Sequence, residues 1–321
     1  MTPAFRAAVV GVGHFGRHHA RILGGAPGVD LVAVVDTDEE RARAVASNVG
    51  ARFASDARAV ASEVDGVVVA VPTRDHARVA APLLEAGVAV LVEKPIATSL
   101  DEADRLIGIA SASGATLAVG HTERHNPAVA AALPLISTPR FIEVHRLATF
   151  QPRSLDIDVV FDVMIHDLDV VLSMVGAEPV SIEAIGVPVL SPRIDIANAR
   201  LRFANGCIAN LTASRISRER VRKLRVFQPH ALVSIDYAGQ QVETWTVKRH
   251  SGAPPGIDGR SVDVVTAEPL ERELADFVRA ARHGTPPGVT GADGRRALAV
   301  AQRIADAMSN VDAARKSADA P

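Results

Sequence analysis

The sequence predicts an α/β protein in two parts: an N-terminal doubly wound parallel sheet, then an α+β region with an open, mainly antiparallel sheet. Three observations carry this reading. The first third alternates short, near-continuous apolar runs with amphipathic stretches, as strands covered on both faces by helices do. After about Gly120 the runs take on alternating character and are separated by hairpin turn signals. A chain of 321 residues also exceeds what one hydrophobic core ordinarily serves.

Parallel strands are expected at 7–10, 31–35, 67–71, 89–92 and 116–119, with a short one at Arg52-Phe53. Helices are expected between them at 15–23, 39–49, 75–86 and 99–113, the last opened by Ser99 and Glu102 at capping-box spacing. In the second part, a helix at 161–175 accompanies strands at 141–149, 181–189, 197–203, 207–214, 224–227, 232–236 and 242–247. Asn205-Gly206 and Ala238-Gly239 mark hairpin turns. Helices at 270–282 and 292–308 close the chain. The expected domains are 1–121 and 122–311, with helix 292–308 a candidate to pack back on the first and 312–321 a frayed tail.

Composition narrows the function classes. Hydrophobic residues at 48% and charged residues at 22% describe an ordinary globular protein. A net charge of −2 gives no global attraction to nucleic acid or to an anionic membrane. The single cysteine, Cys207, excludes an intrachain disulfide and a cysteine metal cluster; it is expected to pack as an apolar residue. The N-terminus lacks the charged, apolar and small-residue order of a secretory signal. The longest apolar runs, 66–72 and 86–92, fall far short of the roughly 20 residues that span a bilayer. A cytoplasmic protein without membrane or nucleic-acid partners is the expectation.

Gly11-Val12-Gly13-His14-Phe15-Gly16 matches G-x-G-x-x-G between a strand and a helix, the context of a Rossmann dinucleotide site. Gly11 permits the tight turn, Gly13 lets backbone approach a pyrophosphate, and Gly16 allows close helix–strand packing. The pyrophosphate is then expected at the helix N-terminus, beside His14 and Phe15. Asp36, at the end of the second strand, would accept hydrogen bonds from the adenosine ribose and repel a 2′-phosphate, which makes NAD the expected cofactor. Arg41 is the one nearby basic side chain able to meet such a phosphate. The plainer reading is that the glycines only turn the chain and Asp36 caps the next helix.

In a doubly wound sheet ligands lie at the carboxyl ends of strands. Pro72, Thr73 and His76 follow the fourth strand; Glu93-Lys94-Pro95 follows the fifth. All but Pro95 are expected near the cofactor, with Pro95 aiming Lys94 through its fixed backbone. A lysine at a strand end is otherwise a solvated surface residue. In the second part, Asp162 and His166 share a helix face at i, i+4, with Asp169 at i+3 beyond. Polar groups in so apolar a stretch need partners or a cavity, a capped or core-satisfied histidine being the alternative.

Taken together, Gly11–Gly16, Asp36, Glu93-Lys94-Pro95 and the Asp162/His166 helix resemble the glucose–fructose oxidoreductase/inositol dehydrogenase family over nearly the whole chain. The resemblance implies an NAD-dependent oxidation of a secondary alcohol with Lys94, Asp162 and His166 as the catalytic set. His166 has the ordinary chemistry of a proton acceptor near neutral pH. Lys94 serves either as that acceptor or by stabilising a developing alkoxide. Which of the two accepts the proton stays open.

Four segments resemble, more narrowly, the UDP-N-acetylglucosamine 3-dehydrogenase group: Gly120-His121-Thr122-Glu123-Arg124-His125-Asn126-Pro127, 162–169, Asp195-Ile-Ala-Asn-Ala-Arg200 and Asn210-Leu-Thr-Ala-Ser-Arg215. His125 stands where an aromatic residue is expected before Asn-Pro. This resemblance implies a nucleotide-sugar substrate held by Arg124, Asn126, Asp162, His166 and Arg215, a link to a sugar aminotransferase, and a homodimer or homotetramer through the open sheet. A free polyol such as inositol, or glucose, is the competing substrate, and a non-catalytic dinucleotide sensor the competing class. The presence of both Lys94 and His166 argues against the sensor.

Two weaker signals complete the reading. The basic run Arg215, Arg218, Arg220, Arg222, Lys223 and Arg225 is either a solvated strand edge or, with Arg124, a diphosphate contact. The histidines His14, His18, His19, His121 and His125 lack the accompanying glutamate of a metal helix, and no metal is expected.

Overall fold

The computed structural model describes residues 3–151, 157–248 and 256–318, with side chains as far as Ser309. The chain divides into two compact units, Met1–His125 with Glu268–Arg295, and Asn126–Ala267 with Arg296–Pro321.

The first unit is built on β1 (Phe5–Val10), β2 (Val29–Val35), β3 (Arg52–Ala54), β4 (Gly66–Val69), β5 (Ala89–Glu93) and β6 (Leu117–Gly120). All pair in parallel, in the order β3-β2-β1-β4-β5-β6. The strand order reverses between β1 and β4, where ligands bind in such sheets. Helices α1 (Gly16–Gly25), α2 (Glu39–Val49), α3 (His76–Glu85) and α4 (Leu100–Ser113) connect them. The α4 start is half a capping box: Ser99 Oγ accepts the Glu102 N–H at 3.2 Å, but Glu102 reaches back to the Thr98 N–H at 3.0 Å, not to that of Ser99.

The polypeptide re-enters this unit near its end. Helix α7 (Pro269–His283), counting α5 and α6 below, buries Leu274, Phe277 and Ala280 on one face. Phe277 meets Phe5 edge-to-face at 6.3 Å, over Gly66, where a Cβ would lie 2.7 Å from the Phe5 ring. A fully buried phenylalanine of this kind contributes roughly 1.5–3 kcal/mol. Val289 and Thr290 then lie against β6, the Val119 N–H donating to Val289 O at 3.2 Å, so the free edge of that strand is covered. Helix α7 therefore belongs with the residues before 121, because its apolar stripe completes the first core.

The second unit is an eight-stranded sheet in the order β14-β13-β12-β11-β7-β10-β9-β8. Its strands are β7 (Phe141–Leu147), β8 (Pro179–Val187), β9 (Ile196–Phe203), β10 (Ile208–Ser214), β11 (Val221–Gln228), β12 (Ala231–Asp236), β13 (Gln241–Lys248) and β14 (Gly256–Val262). Only β7 and β10 pair in parallel. Strand β9 shows the two faces: Ala197, Ala199, Leu201 and Phe203 are buried while Asn198, Arg200 and Arg202 are exposed. The inner face packs with α5 (Pro127–Ala132), α6 (Ile165–Val175) and part of α8 (Gly291–Ala318) into one core that includes Cys207. Burial pushes the Cys207 thiol up to about 11, as for an inert packed cysteine.

Several elements differ from the sequence expectation. Strand β14 was not expected; it is polar and glycine-containing, and exists by pairing with β13. The helix expected at 161–175 is a π-helical turn, Val160–Met164, followed by α6. At the β12–β13 turn the positive φ falls on Gln240 at 49°, not on Gly239, because Asp236 accepts both the Ala238 and Gly239 N–H groups. Helix α8 continues to Ala318, through most of the expected tail; residues 319–321 lie outside the described residues.

Candidate active site

The phosphate turn is shaped by close backbone approach. Gly11 has φ +83° and donates to Val35 O at 2.7 Å; a Cβ there would lie 2.7 Å from Ala70 O. A Cβ on Gly16 would lie 1.7 Å from Gly11 O, so only glycine lets α1 begin here. Nothing lies within 4 Å of a Cβ on Gly13, which faces a cavity of about 770 Å³ lined also by His14, Phe15, Asp36, Arg41 and Pro72. Helix α1 has no side-chain cap and no acidic residue in its first turn, which leaves the positive end of its dipole to an anion.

Asp36 stands at the cavity edge. Its carboxylate accepts the Val12 N–H at 2.9 Å and the Asp38 N–H at 3.0 Å, which fixes its orientation. Arg41 lies across it, 3.4 Å from Asp36 Oδ2 and 2.9 Å from Asp38 Oδ2. Arg41 is thus held by two carboxylates. The glycine cradle and the oriented acid fit a dinucleotide with a free 2′-hydroxyl.

Thr73 opens a short 3-10 turn, Thr73–Asp75. His76 is buried and lies between two carbonyls, Pro95 O at 2.9 Å and Val71 O at 3.0 Å. Burial keeps its ring neutral despite both, so it donates to one of them and ties the two strand-end loops together.

Lys94 is half-buried after β5, with a cis bond to Pro95. Its backbone N–H donates to Glu93 Oε2 at 3.1 Å, and His19 Nε2 donates to Glu93 Oε1 at 2.7 Å. Against burial, His19 and the Lys94 charge hold the Glu93 carboxyl below its ordinary value. Around this pair lie buried groups to which sequence reasoning gave no role in the site. His121 is pushed down to about 3 by burial and then by Lys94 and Arg124. Glu273, on α7, is raised well above the carboxylate range by burial and by the Glu93 charge. The signal was there for His19 and Glu273: each occupies a position on the apolar stripe of its helix.

Of the expected substrate residues in this unit, Arg124 is half-exposed and donates to Gly288 O at 3.2 Å. Burial pushes its neighbour His125 down to about 4, against the opposing charge of Asp276.

In the second unit Asp162, on the π-helical turn, and His166, in the first turn of α6, are both half-exposed. Such turns recur at functional sites. Asp169, at i+3 beyond His166, is buried, as is Asp167. Asp167 takes a two-pronged contact from Arg146 of β7, at 2.6 and 2.9 Å, with the guanidinium 5.1 Å over the Tyr237 ring. This pair braces α6 against the sheet. Asn126 is buried and caps α5: its Oδ1 accepts the Ala128 N–H at 3.0 Å while Nδ2 donates to Tyr237 O at 3.1 Å.

Arg215 is buried too. It donates to Asp195 Oδ1 at 2.8 Å, Ile157 O at 2.8 Å and Ile194 O at 3.2 Å. Against burial, three backbone N–H groups of Val189, Leu190 and Ser191, with Arg215, hold Asp195 far below the usual carboxylate range. The structure therefore gives Asn126 and Arg215 bracing contacts. The rest of the basic run is exposed or half-exposed, with Lys223 and Arg225 reaching Asp236 and Glu143 across the strands. Among the described residues, no three His, Cys, Asp or Glu side chains converge as a metal ion requires, and no helix is long and apolar enough to cross a membrane.

Known proteins match both units. Residues 5–121 match the model of an oxidoreductase family with an NAD-binding Rossmann fold, and 143–231 match the GFO/IDH/MocA C-terminal domain. The UDP-N-acetylglucosamine 3-dehydrogenase of Acidithiobacillus ferrooxidans is 40% identical over 93% of this chain and 96% of its own. Its solved structure superposes with a TM-score of 0.89 at 38% identity, covering 95% of this chain and 97% of that one. An inositol 2-dehydrogenase of Rhizobium meliloti is more distant, 26% identical over 92% of this chain and 94% of its own. The chain belongs to the GFO/IDH/MocA family of NAD-dependent oxidoreductases, and it is a dehydrogenase acting on CH–OH.

Proposed function

We propose that the protein oxidises the 3-hydroxyl of a UDP-N-acetylhexosamine, UDP-N-acetylglucosamine foremost, to the 3-keto sugar. The observation that carries this is the 40% identity with a UDP-N-acetylglucosamine 3-dehydrogenase over 93% of the chain. The inositol dehydrogenase is 26% identical, which ranks the free polyol second.

NAD, when bound on the Gly11–Gly16 turn, supplies the hydride acceptor. The chain's own residues do the rest. Asp36 binds the ribose, and the N-terminus of α1 binds the pyrophosphate. The sugar hydroxyl must lose its proton as its carbon loses a hydride; Lys94 and His166 share the tasks of taking that proton and stabilising the alkoxide, and Asp162 orients the sugar or the histidine. Arg124 is the accessible cation of the expected substrate set. The reading extends to a cytoplasmic homodimer or homotetramer that buries the exposed outer face of the second sheet, and to an aminotransferase that consumes the keto product.

The test is NAD reduction with UDP-N-acetylglucosamine against inositol and glucose, with the keto sugar detected by mass. Turnover of inositol alone overturns the substrate. Separate Lys94→Met and His166→Asn variants test the chemistry; near-wild-type turnover in both overturns it.

A further inference from the structure

The buried polar cluster behind Lys94 has no part in the chemistry just described. Its centre is Glu93. The side chain of this residue points back into the first unit, where Gly120 faces it across the β5–β6 pair. An alanine Cβ at 120 would lie 3.2 Å from Glu93 Oε2 and 3.3 Å from its Cδ, so glycine is what leaves the carboxylate its place. His19, fully buried on α1, reaches one carboxylate oxygen; the other accepts the Lys94 backbone N–H. The carboxylate only accepts, so Nε2 of His19 carries the proton. The remaining ring nitrogen, Nδ1, has no partner among the described residues, which leaves Glu93 as the ring's single anchor.

We infer that His19 and Glu93 are positioning residues for Lys94: the buried ring pins the carboxylate, and the carboxylate pins the backbone from which Lys94 projects. This rests on the role given to Lys94 above. A lysine side chain is long and rotates freely, so the accuracy of its amine depends on how firmly its backbone is held. Here the N–H is held by a charge-assisted bond to a carboxylate whose other oxygen is tied to a fully buried ring. A misplacement of about 1 Å at a reacting group costs on the order of a hundredfold in rate. The groups facing Glu93 are His19 from α1, the Lys94 ammonium, His76 from α3, His121 after β6 and Glu273 from α7. Burial favours the uncharged forms of His76, His121 and Glu273.

His19→Leu, His19→Gln, Gly120→Ala and Lys94→Met are compared for kcat and KM with UDP-N-acetylglucosamine, and for NADH affinity by fluorescence. His19→Leu is expected to lower kcat roughly 10- to 100-fold with NADH affinity near wild type. His19→Gln, whose amide N–H takes the place of Nε2–H, recovers most of it. Gly120→Ala loses kcat in the same direction by displacing the carboxylate without removing a charge. Added to Lys94→Met, His19→Leu lowers turnover no further, since nothing remains to be positioned. Wild-type kcat in His19→Leu, or an additive loss in the double variant, overturns the positioning role; if His19→Leu does not fold, wild-type kcat in Gly120→Ala does so. Wild-type turnover in Lys94→Met removes Lys94 from the chemistry and overturns the positioning with it. A dead Lys94→Met beside an unaffected His19→Leu overturns the positioning alone.

Discussion

The two units hold their functional residues by opposite means. In the first, the cofactor turn is made of backbone: Gly11 and Gly16 approach other main-chain atoms so closely that a single added Cβ has no room. In the second, Asp162 and His166 ride on a helix braced by the charged side chains of Arg146 and Asp167, which come from a strand and a helix and are both buried. A site made of backbone accepts almost any neighbouring side chain but no added atom on the glycines. A site braced by buried charge tolerates reshaping but not the loss of one partner, because the other charge is then stranded away from water.

That contrast can be broken at its strongest point first. Asp167→Ala removes the two-pronged carboxylate contact from the buried Arg146 guanidinium and is expected to cost about 3–5 kcal/mol in urea unfolding. Replacing both residues by apolar ones, Arg146→Met with Asp167→Leu, is expected to restore most of it; if the double variant is as unstable as the single, the bracing is not electrostatic. Gly16→Ala comes next, with a loss of roughly 1–3 kcal/mol or more from overpacking and no measurable NADH binding. Gly13→Ala sharpens the comparison, since nothing lies within 4 Å of its Cβ. Its stability is expected to stay within about 0.5 kcal/mol of wild type while NADH fluorescence shows weakened binding.

The smallest effect is a pH dependence. The folded protein holds the Glu273 proton well above the ordinary carboxyl value of 4.5, through burial and the Glu93 charge. Stability from this group is therefore complete below that value and is lost as pH rises through the raised one. Glu273→Gln, which carries no titrating proton, is expected to flatten this part of the profile when urea midpoints are compared from about pH 5 to about pH 8. Parallel profiles for the two proteins would show that Glu273 ionises normally.

Much of the first unit was legible because its signals are local. Strand, glycine turn, helix and acid follow one another within a few tens of residues, and the apolar runs on either side announce a sheet covered on both faces. The Glu93-Lys94-Pro95 segment was legible for the same reason. Its support was not: His19 and Gly120 come from two other elements, and nothing near Glu93 in the sequence points to them. In the second unit, the alternation in β9 and the Asn205-Gly206 turn were readable, whereas β14 was not, since its residues pair only because β13 offers an edge. Arg215 shows the limit most clearly. A conspicuous arginine after a strand suggested a ligand contact, while its partners Asp195, Ile157 and Ile194 are brought to it only by folding.

The sequence by itself determined the parallel sheet, the cofactor turn with its acid, and the positions of Lys94, Asp162 and His166, because periodicity, glycine geometry and charge act over short stretches of chain. Only the tertiary structure decided that Arg41 is held by Asp36 and Asp38, that α7 completes the first core, and that Lys94 is anchored through Glu93 and His19. Those outcomes depend on which side chains meet when the elements pack, and for buried His19 desolvation adds the need for a partner.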